Sequence, residues 1–126
     1  MIEVPSAAIR AREIASQCAF LSIGTNDLVQ YTLAVDRNND LVADYYNQTD
    51  PAIVYLISKV CRSAHEVGIP VAVCGEMASQ NKYTNLLIGL GVDELSTSPA
   101  NYGEIKKTIL KLDTNECEKY AVSLLK

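Results

Sequence analysis

Short apolar runs alternate with longer amphipathic stretches along the whole of this chain. Ile2-Glu3-Val4 is a strand-like triplet, and Ala7 to Gln17 follows as an Ala-rich segment with Arg and Glu interspersed, which predicts a helix. Ala19-Phe20-Leu21-Ser22-Ile23 is a compact apolar run closed by Gly24, the pattern of a buried strand. The clearest helix signal comes next. Asp50 precedes Pro51, and Ile53, Leu56, Ile57, Val60, Ala64 and Val67 recur at helical spacing until Gly68 and Pro70 stop the pattern. Val71-Ala72-Val73-Cys74 reads as a third strand that breaks at Gly75, Lys82 to Gly89 as a helix, and Asp93 to Thr97 as a fourth strand. Ser98-Pro99 opens a helix carrying Ile105, Ile109 and Leu112. Asp113 and Glu116 then form a D-x-x-E capping box ahead of a last helix with Cys117, Tyr120, Ala121, Leu124 and Leu125.

Strand following helix throughout implies parallel pairing and the α/β class. About four such βα units make half of a (β/α)₈ barrel, which takes about 250 residues when whole. An open flavodoxin-like sheet suits the same length. Periodicity does not separate the two.

Composition narrows the function classes. The 126 residues, 48% hydrophobic and 21% charged, suit one modest domain over 1–126. The net charge of −4, with no basic stripe, argues against nucleic-acid binding. No apolar run approaches the ~20 residues that cross a bilayer. The N-terminus meets a charge at Glu3 and lacks the apolar core of a signal peptide, so a cytoplasmic protein is expected. Four cysteines form no C-x-x-C pair, which disfavours zinc, and cytosolic thiols stay reduced. Cys18, Cys61 and Cys117 fall in apolar patterns and are expected to be buried as small hydrophobes.

In parallel α/β folds, chemistry gathers where strands end and helices begin. Glu3 belongs to the first such corner, Gly24-Thr25-Asn26-Asp27 to the second, Cys74-Gly75-Glu76 to the third and Ser96-Thr97-Ser98 to the fourth. Three carboxylates, an amide, a thiol and several hydroxyls would therefore share one face. Glu3 and Asp27 suit Mg²⁺, which is held by one or two carboxylates with substrate oxygens and water completing the octahedron. The same residues also read as an exposed strand-end charge and a helix N-cap. Spacing leaves both readings standing.

The strings MIEVPSAA, FLSIGTNDLVQYTLAVDRNND, AVCGEMA and GVDELSTSP closely resemble the phosphoenolpyruvate-binding domain of the enzyme I family, which feeds the bacterial sugar phosphotransferase system. The resemblance covers essentially the whole chain, and GTNDLVQYTLAVDR is its most specific block. It implies the C-terminal half of a phosphoenolpyruvate/pyruvate-type (β/α)₈ TIM barrel that works with Mg²⁺. Residue by residue, it implies that Glu3 and Asp27 are Mg²⁺ carboxylates and that Asn26 and Arg37 contact the substrate phosphate, with Asp27 at the substrate as well. A guanidinium fork suits phosphate oxygens. It implies that Cys74 handles the proton at the substrate's methylene carbon. A thiol, with an ordinary pKa of about 8.5, can give or take that proton at small cost. Glu76 is a supporting candidate that would orient Cys74 or metal-bound waters.

The family carries its phospho-acceptor histidine in a separate N-terminal domain. The single histidine, His65, lies inside the Asp50–Gly68 helix and is expected to be structural or solvent-exposed. The chain therefore reads as a piece of a longer enzyme that would not run the reaction alone. The partners implied are phosphoenolpyruvate or pyruvate, a histidine-containing phosphocarrier protein reached through the N-terminal part, and a second copy in a homodimer. Pyruvate phosphate dikinase and phosphoenolpyruvate synthase carry similar blocks and are the alternative, as is a non-catalytic dimerisation module.

Overall fold

A computed structural model describes residues 1–125. Its centre is a parallel sheet of three short strands, β1 (Leu21–Gly24), β2 (Val71–Cys74) and β3 (Glu94–Leu95), in the order β1-β2-β3. Ile2 extends the sheet with a single parallel bridge to Ile23: its N–H donates to Ser22 O at 2.7 Å, and its carbonyl accepts from Gly24 N at 2.9 Å. Four parallel segments thus lie side by side in chain order. This is the α/β class expected.

Seven α-helices surround them among the described residues: α1 (Pro5–Ile9), α2 (Ala11–Ala15), α3 (Thr25–Leu33), α4 (Pro51–His65), α5 (Asn81–Gly89), α6 (Pro99–Ile109) and α7 (Thr114–Leu124). The α4 prediction holds at its start, and the helix ends at His65, short of Gly68. Asp50 Oδ1 accepts from Ala52 N at 2.8 Å, Pro51 fills the first turn, and Gly68 follows the helix at φ +79°. Its apolar stripe is buried at Ile53, Ile57, Val60 and Ala64, while Val67 falls beyond the helix and is partly exposed. Along β1 and β2 burial alternates, with Leu21, Ile23, Val71 and Val73 in the core cluster and Ser22, Ala72 and Cys74 only half-buried. One sheet face is therefore covered by helices more completely than the other.

Several expectations need correction. The Ala7–Gln17 segment is two helices broken at Arg10 (φ −96°, ψ 20°), a break that neither glycine nor proline announces. The fourth strand shrinks to two residues because it is an edge, paired on one side alone. Asp113 caps α7 from its Oδ1 to Asn115 N and Glu116 N, but the Glu116 carboxylate accepts from Lys119 at 2.7 Å, so half of the capping box forms. Cys61 and Cys117 are buried as expected, and Cys18 is exposed, because α2 ends before it. Residues 25–33, read as a motif rather than an element, form α3. The N-cap of α3 is Gly24, so Asp27 is a first-turn residue and not a cap. Among the described residues no helix is long and apolar enough to cross a membrane.

Candidate active site

Everything at the carboxyl ends of the strands depends on two tight corners. At the first, β1 passes directly into α3 through Gly24, which is in register with Cys74. A β-carbon at residue 24 would lie 2.9 Å from Glu3 Oε2, so the Glu3 side chain would have to shift. Its absence lets the Glu3 carboxylate lie over the end of β1. At the second corner Gly75 turns the chain at φ +99°, and a β-carbon would come within 2.6 Å of Thr25 Oγ1 and 2.9 Å of Asn26 Oδ1. Two glycines thus let two corners interlock.

Hydrogen bonds fasten them. Thr25, buried, donates from Oγ1 to Cys74 O at 2.9 Å. Glu76 N donates to Asn26 Oδ1 at 2.9 Å. An amide oxygen must face that N–H, so the Asn26 side chain has one allowed orientation. Its Nδ2 then carries two N–H donors with no hydrogen-bond partner among the described residues. Beside it, Arg37 returns from the far end of α3 to meet Asp27, with Nη1 3.5 Å from Oδ1. That pair is loose and about a third exposed on each side, at 35% and 38%. The Arg37 backbone is held by its own N–H, which donates to Gln30 Oε1 at 3.2 Å.

Cys74 lies on the half-covered face of β2. Its thiol donates to Ile23 O at 3.5 Å, and its sulfur accepts from Ser22 Oγ at 3.8 Å, so its position is fixed from the β1 side. Among the described residues Glu76 makes no hydrogen bond to Cys74. Its carboxylate instead accepts from Gln48 Nε2 at 3.3 Å. At the fourth corner Thr97 Oγ1 donates to Ser79 Oγ at 3.0 Å, joining β3 to the turn after β2.

Two contributors escaped the sequence reading. Tyr46 and Gln48 lie in the 34–50 connection between α3 and α4, and both reach into the corner region. Tyr46 Oη donates to Asn26 O at 3.0 Å, and Gln48 is 6% exposed. Burial first, and then the Glu76 carboxylate, push the Tyr46 phenol up, so it stays a neutral donor. No periodic pattern marks either residue. A tyrosine and a glutamine two apart in a stretch of mixed polar and apolar residues were the available signal.

Glu3 and Asp27 match a hard divalent cation in donor chemistry. The space that Gly24 leaves for the Glu3 carboxylate is a cradle that a β-carbon would fill. No group of three or more acidic, histidine or cysteine side chains converges among the described residues. Two carboxylates suffice for Mg²⁺ when water and substrate oxygens complete its shell. His65 belongs elsewhere. Its Nε2 lies 2.9 Å from Asp93 Oδ2, which also accepts from Val71 N at 2.8 Å, at the amino end of β2.

The family model described as the phosphoenolpyruvate-binding domain of phosphoenolpyruvate-utilising enzymes matches residues 1–114. The chain belongs to that family. The chain is similar to the phosphoenolpyruvate-protein phosphotransferase of Buchnera aphidicola subsp. Baizongia pistaciae, 46% identical over 125 residues. Proteins of the same name from Haemophilus influenzae and Bacillus subtilis are each 42% identical over 125 residues. Each match takes in 99% of this chain and 22% of the relative, so the chain spans about a fifth of the length of these relatives.

Proposed function

We propose that this chain supplies the Mg²⁺- and phosphate-binding rim of a phosphotransferase of the enzyme I type. The whole enzyme would move the phosphoryl group of phosphoenolpyruvate to one of its own histidines, and from there to a histidine-containing carrier protein in the cytoplasm. The observation that carries the reading is the orientation of Asn26. With Oδ1 taken up by Glu76 N–H, the side chain keeps two N–H donors for an anion, next to Asp27, which is loosely paired with Arg37. The shared names of the relatives support enzyme I over a dikinase or synthase.

Each residue then has a task. Asn26 Nδ2 and the Arg37 guanidinium bind the phosphate, Arg37 by turning its fork from Asp27 to the phosphate oxygens. Glu3 and Asp27 hold Mg²⁺, which when bound supplies a Lewis acid for the oxygen that becomes anionic. As the phosphorus–oxygen bond breaks and a phosphorus–nitrogen bond to the acceptor histidine forms, the remaining fragment is the enolate of pyruvate. Cys74 gives its thiol proton to the methylene carbon of that enolate, forming pyruvate, and takes a proton back in the reverse direction. His65 takes no part, since it is bound to Asp93 at the other end of the sheet.

We further propose that the four parallel segments are the C-terminal half of a (β/α)₈ barrel. Their sequential order supports it, as does the half-covered face bearing Ser22, Ala72 and Cys74, which a barrel would turn to its interior. A homodimer is the proposed assembly.

Thermal unfolding tests the ligand. Phosphoenolpyruvate with Mg²⁺ should raise the melting temperature; at about 100 times Kd the linkage is about 2.7 kcal/mol, roughly 10 °C for a domain of this size. Either ligand alone should give less, and Asp27→Asn should lose the Mg²⁺-dependent part. An unchanged melting temperature, together with a dimer by size exclusion, would replace this reading with a dimerisation module.

A further inference from the structure

The connection between α3 and α4 is built to hold a shape. Asn39 Oδ1 accepts from Leu41 N at 3.0 Å and starts the 3-10 turn at Asp40–Tyr45. Asn47 Oδ1 then accepts from both Thr49 N and Thr49 Oγ1 at 3.0 Å, an Asx turn that leads into the Asp50 cap of α4. Between these two fixed points Tyr46 and Gln48 project inward. Tyr46 Oη reaches the carbonyl of Asn26, and Gln48 Nε2 reaches the carboxylate of Glu76, while Glu76 N–H holds Asn26 Oδ1. The three hydrogen bonds close a ring through both corners.

Gln48 has a second property that a packing role does not explain. It is 6% exposed, and with Nε2 facing a carboxylate its other amide atom must be Oε1, which is buried without a partner. A buried acceptor left unpaired is destabilising, so a leucine of similar volume would serve the core better. An amide retained at that cost points to a geometrical task.

We propose that Tyr46 and Gln48 are positioning residues: they set the Asn26 amide and the Glu76 corner so that the Asn26 N–H donors face the substrate phosphate. The inference rests on the proposed phosphoenolpyruvate site for its consequence, and on the hydrogen-bond ring for its geometry. If the residues were merely structural, loss of ligand affinity would follow loss of stability. Positioning separates the two.

The variants Gln48→Leu and Tyr46→Phe are compared with the parent chain by thermal unfolding, by amide hydrogen exchange and by calorimetric titration with phosphoenolpyruvate in Mg²⁺. Gln48→Leu should melt at or above the parent temperature. In both variants exchange at Glu76 N–H should rise about tenfold, while exchange in Val71–Cys74 stays as in the parent. Phosphoenolpyruvate should bind about tenfold more weakly to each variant, the loss of one well-made hydrogen bond. Unchanged exchange at Glu76 overturns the inference whatever the ligand does, and so does unchanged affinity in a chain that binds. A parent chain that shows no binding while the variants loosen Glu76 refutes the proposed function and leaves the positioning ring standing.

Discussion

The two ends of β2 both gather polar and charged side chains and differ in how far their bonding is completed. At the amino end, one oxygen of Asp93 takes hydrogen bonds from both Val71 N and His65 Nε2. Carboxylate, imidazole and backbone satisfy one another there. At the carboxyl end the bonding is unfinished: Asn26 keeps two N–H donors free, Asp27 and Arg37 stand 3.5 Å apart, and the Cys74 thiol rests in long hydrogen bonds of 3.5 and 3.8 Å. A closed network fixes a strand. An open one, held rigid from behind by Tyr46, Gln48 and Thr25, is what a substrate can complete.

The comparison can be broken from either end. The largest expected effect is Gly75→Ala at the carboxyl end. It forces a side chain into φ +99° and against Thr25 Oγ1, so stability should fall by about 2 kcal/mol in urea unfolding. The hydrogen bond from Glu76 N to Asn26 Oδ1 should break with it. A silent substitution would mean the corners are not interlocked. Asp93→Asn at the amino end should cost less, about 0.5–1 kcal/mol, because the side chain is 42% exposed and solvent screens the pair.

The Asp93 effect should also depend on pH. Burial acts to raise this carboxyl, but the bonds from His65 and Val71 N–H, with the His65 charge, outweigh it and hold it below the usual carboxylate range. A depressed folded pKa stabilises fully above the unfolded value of about 3.9 and is lost as pH falls through the folded one. Parent and Asp93→Asn should therefore differ at neutral pH and converge in acid. A constant gap would contradict the pairing.

Much of this was legible in the residues. Asp50, Pro51 and Gly68 marked α4 because caps and breakers act locally, and Val71–Cys74 stood out because a buried parallel strand is a short apolar run. The resemblance named Glu3, Asn26, Asp27, Arg37 and Cys74, and the fold brings the corners that carry them to one end of the sheet. The split at Arg10 was not legible, because residues 7–17 suit one continuous helix. Helix α3 was hidden by its own motif, whose polar Thr25, Asn26 and Asp27 look like a loop. Tyr46 and Gln48 stayed invisible for a deeper reason. Their importance lies in hydrogen bonds to residues 20 and 28 positions away, which no local pattern encodes.

The most direct test follows amide resonances of the isotopically labelled chain as phosphoenolpyruvate is added in the presence of Mg²⁺. Binding at the carboxyl rim should move Gly24, Thr25, Asn26, Asp27, Gly75 and Glu76 together in a saturable, Mg²⁺-dependent way, while Val71 and Asp93 remain still. Shifts centred on His65 and Asp93, or none at the rim at saturating ligand, would contradict the assignment of this end of the sheet to phosphoenolpyruvate.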